Sequence, residues 1–319
     1  MLVSVSSWIV YWLSFKNDPR THTNQHEPEP TSQVSMKNQR SAFRIIVVGL
    51  LLVHAATIVK SVQMPVGKPE SADKPAPRAD RNSMLAHSEL LEKAKQGRID
   101  VYFEGDSITR RWGTSDEQYQ HFLRNWQENF FGWNAADFGW GGDRTQNILW
   151  RLNNGELDNI KPKIIVLLAG TNNVGNNSPP GSADPGSDPR VRDTTRGIKA
   201  ILDVCSRKAP SATIVLMGIF PRNDNMLVMP IINEINQRIA KFADGKKIRY
   251  LNINDKLADN YGRLLEGMAI KDGLHLDLKG YQVWADALKP IFIELLGPPG
   301  KEDHAPPPTG DPSVKNRSR

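Results

Sequence analysis

Two stretches of the chain, IIVLLAG at residues 164–170 and TIVLMGIF at residues 213–220, decide the predicted fold. Both are apolar at nearly every position and rich in β-branched residues, which is typical of strands covered by helices on both faces. Short strand-like segments also occur at residues 99–103, 133–138 and 248–253. Amphipathic, helix-like stretches separate or flank the strands at residues 84–96, 116–129, 145–153, 192–208, 230–242 and 280–296. This alternation predicts an α/β fold, a parallel sheet with helices on both sides.

Composition divides the 319 residues into three regions. Residues 1–83 and 298–319 hold 13 of the 22 prolines, and long tracts of them show neither helical nor strand periodicity. Segments of this kind bury too little apolar surface to offset chain entropy. We therefore expect one globular domain at residues 84–297, preceded by an apolar segment with a disordered linker and followed by a disordered tail at residues 298–319.

Charge and cysteine content exclude several classes of protein. The whole chain carries a net charge of +6, but residues 84–297 hold 27 basic and 26 acidic residues, a net charge of +1. The basic excess therefore belongs mainly to the flanking regions, and no nucleic-acid partner is expected. The single cysteine, Cys205, excludes an intramolecular disulfide framework and a cysteine-based zinc finger.

The N-terminal region contains an uncharged apolar run, IIVVGLLLVHAATIV, at residues 45–59, preceded by Lys37, Arg40 and Arg44. Fifteen residues fall short of the roughly 20 that span a bilayer, so the pattern favours a secretory signal and export to the periplasm or outside the cell. An uncleaved N-terminal anchor is the competing interpretation, and it is the only membrane contact expected. Met36 precedes the basic flank and competes with Met1 as the true start.

Polar clusters follow the predicted strands, where parallel α/β sheets bind ligands. The clusters are GDSIT at residues 105–109, GWGGDR at 139–144, GTNN at 170–173 and DGLHL at 272–276. Each one alone is more often a turn or a helix cap. Four of them in this order favour a site for serine-based ester hydrolysis, which needs a nucleophile, an oriented base and donors for the oxyanion.

Particular residues fit these roles. Ser107 stands at a strand-to-helix turn, where its hydroxyl is exposed. His275 has a carboxylate, Asp272, three residues before it, close enough to fix the imidazole tautomer. The side-chain amide of Asn172 and the backbone N–H of Gly142 are candidate donors to an oxyanion.

The four clusters together resemble the sequence blocks of the SGNH (GDSL) hydrolase superfamily, and residues 139–173 are similar to the catalytic subunits of the platelet-activating-factor acetylhydrolase family and their bacterial relatives. The resemblance covers about residues 98–296. It implies a flavodoxin-like, three-layer sandwich with a five-stranded parallel sheet, no metal and no cofactor, hydrolysis of small acyl esters, and pairing into a homodimer. It also implies that Ser107 is the nucleophile, Asp272 and His275 complete the triad, and the N–H groups of Ser107 and Gly142 form the oxyanion hole with Asn172.

Other residues near the four clusters are candidates for the substrate pocket. Glu104 stands where the family has an apolar residue; it either points into the cleft and selects against anionic substrates or lies on a solvated rim. Trp140 is a candidate wall for the acyl or alcohol group or a platform for a sugar ring, and Arg222 a candidate lining residue. Trp112 is expected to pack in the core. The sequence also favours a local pair of Asp143 with Arg144, and a pocket wall in the long loop at residues 174–190.

Three functions stay open at this point. The first is a serine esterase acting on short acyl, mainly acetyl, esters of a small molecule or carbohydrate, with acetylhydrolase or lysophospholipase-like action on phospholipids as a variant. The second is a non-catalytic carbohydrate-binding domain on an esterase scaffold. The third is a cofactor-binding module, which is weak because the glycines at 139–142 lack the G-x-G-x-x-G spacing. An α/β-hydrolase is not expected, since no G-x-S-x-G sequence occurs.

Overall fold

The computed structural model describes residues 71–177 and 184–315, all within one compact unit, Pro65–Arg319. Its centre is a sheet of five parallel strands in the order β2-β1-β3-β4-β5. The strands are β1 (Val101–Gly105), β2 (Ala135–Asp137), β3 (Ile164–Leu168), β4 (Thr213–Met217) and β5 (Ile248–Leu251). The parallel five-stranded sheet predicted from the sequence is confirmed.

Helices cover both faces of the sheet. They are α1 (Arg81–Ala94), α2 (Ser107–Gly113), α3 (Gln120–Phe130), α4 (Thr145–Arg151), α5 (Thr171–Val174), α6 (Pro189–Lys208), α7 (Met229–Ala240), α8 (Asn254–Leu257), α9 (Leu278–Leu296) and α10 (Pro312–Lys315). Side chains from α1, α4, α6 and α7 pack in one buried cluster, and those from α2, α3, α8 and α9 pack in the other. The fold is therefore a three-layer sandwich.

Alternation along the strands produces the two clusters. Tyr102 of β1 packs on the α4 and α6 side, whereas Val101 and Phe103 pack on the α3 and α9 side. The second side is rich in aromatic rings. The ring centroid of Trp112 lies 5.0 Å from that of Trp284 and 4.9 Å from that of Tyr281, and Trp112 is fully buried. The expected core role of Trp112 is confirmed.

Element boundaries differ from the sequence predictions for local reasons. Helix α1 begins at Arg81, three residues before the predicted start, because the Asp80 side chain accepts from the Ser83 N–H at 2.8 Å and caps the helix. Helix α4 ends at Arg151, two residues early, where a wider π turn, Leu152–Glu156, follows. Gly155 in that turn has a φ of +113°, which an L residue rarely adopts.

The C-terminal segment 298–315 differs from the predicted disordered tail. The backbone N–H of Arg98 donates to the His304 carbonyl at 2.7 Å, and that of Ser115 donates to the Thr309 carbonyl at 3.1 Å. Pro306, Pro307 and Pro308 help to line a cavity of about 220 Å³ beside α3. The described part of this segment is therefore packed on the domain, and its prolines do not mark a free chain end.

The N-terminal predictions are only partly covered by the described residues. Residues 71–83 were expected to belong to a disordered linker. In the structure, residues 71–80 include contacts with α4, and residues 81–83 form the first turn of α1. The apolar run at residues 45–59 and the alternative start Met36 lie outside the described residues. Within the described ranges, no helix combines the length and apolar character needed to cross a membrane.

Candidate active site

Ser107 is placed by the turn from β1 into α2. Asp106 is the N-cap of α2, and its Oδ1 accepts from the Ile108 N–H at 2.9 Å. Ser107 is the first residue of the helix and is half-buried. The turn requires glycine at position 105, because a Cβ there would lie 2.6 Å from the carbonyl oxygen of Leu168. The nucleophile predicted from the sequence therefore stands at the carboxyl edge of the sheet.

His275 and Asp272 come from one tight turn before α9. One carboxylate oxygen of Asp272, Oδ1, accepts the backbone N–H groups of Leu274 and His275, each at 2.9 Å. The other, Oδ2, lies 2.7 Å from His275 Nδ1. On the far side of the ring, Nε2 lies 2.8 Å from Ser107 Oγ. With the proton on Nδ1 donated to Asp272, Nε2 accepts from the Ser107 hydroxyl.

Burial, the Arg111 charge and the backbone N–H groups of the turn shift the pKa values of His275 and Asp272 in the directions that favour a neutral imidazole and an ionised carboxylate. Partial burial and the positive charge of Arg111 lower the pKa of His275, and these effects outweigh the bond to Asp272. Burial acts to raise the pKa of Asp272, but the N–H groups of His275 and Leu274 outweigh it, so this pKa lies below its usual value. A neutral imidazole next to a hydroxyl is the state that a general base requires.

Arg111 also belongs to this cluster, although it lies outside the GDSIT block, residues 105–109, that predicts the nucleophile. Its Nη1 lies 3.4 Å from Asp272 Oδ2, and its guanidinium carbon lies 5.2 Å from the centre of the Tyr119 ring. Arg111 stands one helical turn after Ser107 on α2. That i, i+4 spacing places it on the same helix face as the serine and was the signal available in the sequence.

The Gly139–Arg144 loop approaches the serine at Gly141, the residue before Gly142. A Cβ built on Gly141 would lie 3.9 Å from the Ser107 Cβ. Gly142 has a φ of +77°, in the region that favours glycine. Among the described residues, neither the Ser107 N–H nor the Gly142 N–H has a hydrogen-bond acceptor. Both donors are thus available to a ligand.

Asn172 stands on α5, just after β3, and is tied to the same loop. Its Nδ2 donates to the Asp143 carbonyl at 2.9 Å. An amide nitrogen carries two hydrogens, and within residues 71–177 and 184–315 the second has no acceptor. The structure therefore places Asn172 against the same Gly139–Arg144 loop that contacts Ser107.

The position of Glu104 differs from both sequence predictions for it. It neither points into the cleft nor lies on a solvated rim, because it is fully buried beneath α4. Its Oε1 lies 2.6 Å from Arg151 Nη2, and its Oε2 accepts from the Tyr102 hydroxyl at 3.0 Å. Burial raises the pKa of Glu104, and the neighbouring Arg151 opposes that rise. Glu104 is a structural carboxylate with no path to a substrate.

Arg151 is the centre of a buried ionic cluster that we call the Arg151 cluster: Arg151, Glu104, Asp143 and Glu156. Besides Glu104, the guanidinium binds Asp143 Oδ2 at 2.7 Å through Nε and also pairs with Glu156. Asp143 was expected to pair with Arg144. The structure shows a different pairing, with Arg151 and Arg78, whereas Arg144 is exposed.

Trp140 and Arg222, two further pocket candidates, are buried and mainly contact other residues of the domain. Trp140 is 8% exposed; its indole N–H donates to Ser83 Oγ at 2.8 Å, and the Arg110 guanidinium lies over its ring. Arg222 is 2% exposed and donates to Thr171 Oγ1 at 3.2 Å. Trp140 therefore packs against α1, which corrects the prediction that it forms a pocket wall. Arg222 is buried against Thr171, the residue before Asn172.

Part of the 174–190 loop is held close to this rim. Arg190 Nη1 donates to the carbonyls of Val174, at 3.0 Å, and Asn177, at 2.8 Å, and Arg222 hydrogen-bonds to Asn176. Residues 178–183 lie outside the described residues, so the prediction of a pocket wall here stays a prediction.

Comparison with known proteins defines the family. Residues 103–283 match the GDSL-like lipase/acylhydrolase family, so the chain belongs to that family and is a carboxylic ester hydrolase. The chain is 31% identical over 255 residues to platelet-activating factor acetylhydrolase IB subunit alpha1 of Bos taurus, covering 77% of this chain and 99% of that one. The alpha2 subunit of Homo sapiens is 31% identical over 226 residues, 69% of this chain and 87% of its own length.

A solved structure agrees in fold. A GDSL-like lipase from Bacteroides thetaiotaomicron superposes with a TM-score of 0.50 at 21% identity, covering 66% of this chain and 98% of that chain. At this identity the match supports the architecture of the sandwich and leaves the substrate open.

Proposed function

We propose that this protein hydrolyses short-chain acyl esters, acetyl esters foremost, by a Ser-His-Asp mechanism. One observation carries the proposal: a continuous line of contacts runs from Ser107 Oγ through His275 Nε2, at 2.8 Å, to Asp272 Oδ2, at 2.7 Å from Nδ1. The N–H groups of Ser107 and Gly142 and the side-chain amide of Asn172 are the proposed donors to the oxyanion, which acyl transfer requires.

In the proposed reaction, Ser107 Oγ attacks the acyl carbon while His275 Nε2 accepts the hydroxyl proton. The tetrahedral oxyanion is held by the N–H groups of Ser107 and Gly142 and by Asn172 Nδ2. His275 then returns its proton to the leaving alcohol. In the second half, His275 activates a water that hydrolyses the acyl-enzyme, and the acid leaves. Asp272 stabilises the imidazolium in both halves.

Hydrolysis of p-nitrophenyl acetate tests this proposal. Ser107→Ala should lose turnover to the uncatalysed background while its melting temperature stays near that of the wild type. Ser88→Ala, a matched change at an exposed serine of α1, should retain wild-type turnover. A Ser107→Ala rate within twofold of the wild type would contradict the proposal.

Phospholipid acetyl esters are the second candidate substrate class, favoured by the 31% identity to the platelet-activating factor acetylhydrolase subunits. The predicted export favours acetylated polysaccharides instead. Acetate release from a 2-acetyl ether phosphocholine lipid and from acetylated xylan, beside a chain-length series of p-nitrophenyl esters, separates the two. Retention of xylan without acetate release would support the non-catalytic carbohydrate-binding alternative.

Export and self-association remain separate proposals. Fractionation of the source cells tests export, and light scattering of the purified protein tests for a homodimer.

A further inference from the structure

The segment at residues 71–80, which precedes the part of the chain matching the family, runs across the N-terminal end of α4. Thr145 Oγ1 donates to the Ala72 carbonyl at 2.8 Å, and the Ala76 N–H donates to the Gln146 carbonyl at 3.0 Å. Asn147 Nδ2 donates to the Ala76 carbonyl at 3.1 Å. These contacts fix the path of the segment and bring its last part to the Gly139–Arg144 loop.

Arg78 is the residue of this segment that reaches the candidate oxyanion hole. Its Nη1 lies 2.9 Å from the Gly141 carbonyl oxygen and 3.2 Å from Asp143 Oδ1. A Cβ built on Gly142 would lie 3.2 Å from the same nitrogen. The guanidinium therefore lies directly against the loop residue that is proposed to donate to the oxyanion. The Arg78 side chain is 29% exposed, so it borders solvent.

The geometry of one peptide group gives this contact its meaning. The Gly141 carbonyl and the Gly142 N–H belong to the same planar trans peptide, so they point in opposite directions. Holding the carbonyl on Arg78 fixes the direction of the N–H. Gly141 and Gly142, the residues on either side of this peptide, have no Cβ, so without such a hold the peptide can rotate at low cost.

We propose that Arg78 is a positioning residue that orients the Gly142 N–H toward the oxyanion, a role that rests on the proposed function. Asp143 supports it from the other side. Its carboxylate accepts from both Arg78 and Arg151, and its carbonyl accepts from Asn172. Arg78 therefore contacts the Gly141–Gly142 peptide directly, and it also contacts Asp143, whose carbonyl accepts from Asn172 on α5.

The fold should not depend on Arg78, so a role in catalysis can be distinguished from a purely structural one. Asp143 keeps its buried partner Arg151 when Arg78 is removed, so no buried carboxylate is left unpaired. The segment also keeps its contacts through Ala72 and Ala76. Loss of Arg78 should therefore leave the fold intact and affect the step in which the oxyanion forms.

The test is steady-state hydrolysis of p-nitrophenyl acetate by the full chain. Arg78→Gln should lower kcat about tenfold or more with KM within twofold, since loss of a whole oxyanion donor costs about 100- to 1000-fold. Arg78→Lys should recover part of kcat because an ammonium can still donate to the Gly141 carbonyl. Guanidinium chloride at millimolar concentration should partly restore the rate of Arg78→Ala, which a folding defect would not allow.

Arg196→Gln is the matched control, because Arg196 donates to Ser71 Oγ at 2.8 Å at the other end of the segment and is far from the loop in the chain. It should retain wild-type kcat. The inference is overturned if Arg78→Gln keeps kcat within twofold, or if Arg196→Gln loses as much. Those results leave the proposed function standing, whereas an inactive wild type or an active Ser107→Ala removes the proposed function itself.

Discussion

The base half of the candidate site, Asp272 and His275, comes from one tight turn, whereas the oxyanion half, Gly142 and Asn172, joins the loops that follow two different strands. In the base half the contacts that join Asp272 to His275 are local, and Asp272 keeps 39% of its side chain exposed. In the oxyanion half, Asn172 binds the Asp143 carbonyl, and Asp143 is held by fully buried Arg151 from below and by Arg78 from outside.

Because of this difference, substitutions in the two halves should affect stability and activity differently. A partly exposed turn can lose a charge at little cost, because water solvates what remains. In the Arg151 cluster, three buried carboxylates share one buried guanidinium, so removal of this cation leaves them without their common partner. Substitutions in the base half should therefore lower activity without unfolding the protein. Substitutions in the Arg151 cluster, which supports the oxyanion half, should also lower stability.

The largest expected effect is on the base half. Asp272→Asn removes the charge that holds the imidazole tautomer and stabilises the imidazolium, and kcat for p-nitrophenyl acetate should fall about 10⁴-fold. The melting temperature should change little, since the turn is partly exposed. Asp277→Asn, at the N-cap of α9, is the control and should keep its activity. Equal activity of Asp272→Asn and wild type would refute the assigned role.

The next effect is on the support of the oxyanion half. Arg151→Met leaves Glu104, Asp143 and Glu156 without their shared cation and should lower the free energy of unfolding by about 3–5 kcal/mol. Urea unfolding followed by circular dichroism measures this. Arg124→Met, at an exposed arginine of α3, should stay within about 0.5 kcal/mol of the wild type. A similar loss in both variants would remove the argument from buried charge.

The smallest expected effect is a shift of the His275 pKa when Arg111 is replaced. Arg111 lowers the pKa of His275, so Arg111→Leu should raise it. His275 acts as a base only when neutral, and the acid limb of kcat/KM should therefore move to higher pH, with the rate on the alkaline plateau retained. Arg124→Leu changes the net charge equally and should leave the limb in place. A limb that stays, or moves to lower pH, contradicts the assigned effect of Arg111.

The same division explains how far the sequence could predict the structure. Strand β3 begins and ends where predicted, residues 164–168, because a fully apolar run has clear ends. Ser107, Asp272 and His275 could also be selected as candidate catalytic residues, since each follows a strand or precedes a helix within a short recognisable block. These features depend on neighbours in the chain.

The features that were missed depend on distant partners. Nothing near Glu104 in the sequence shows that Arg151, 47 residues later, will pair with it. Arg78 lies in a stretch whose prolines suggested a linker, and its partners Gly141 and Asp143 are over 60 residues away. The segment 298–315 was expected to be disordered for the same reason, because composition does not record the backbone bonds that His304 and Thr309 make to the domain.

Labelling by a fluorophosphonate, read out by intact mass and peptide mapping, is the direct test of Ser107 as the nucleophile. The probe forms a covalent adduct with an activated serine whose oxyanion hole accepts the phosphonyl oxygen. We expect one adduct per chain, located on Ser107, with loss of esterase activity in step with labelling and no adduct in Ser107→Ala. An active enzyme whose Ser107 stays unlabelled while another residue carries the adduct would contradict it.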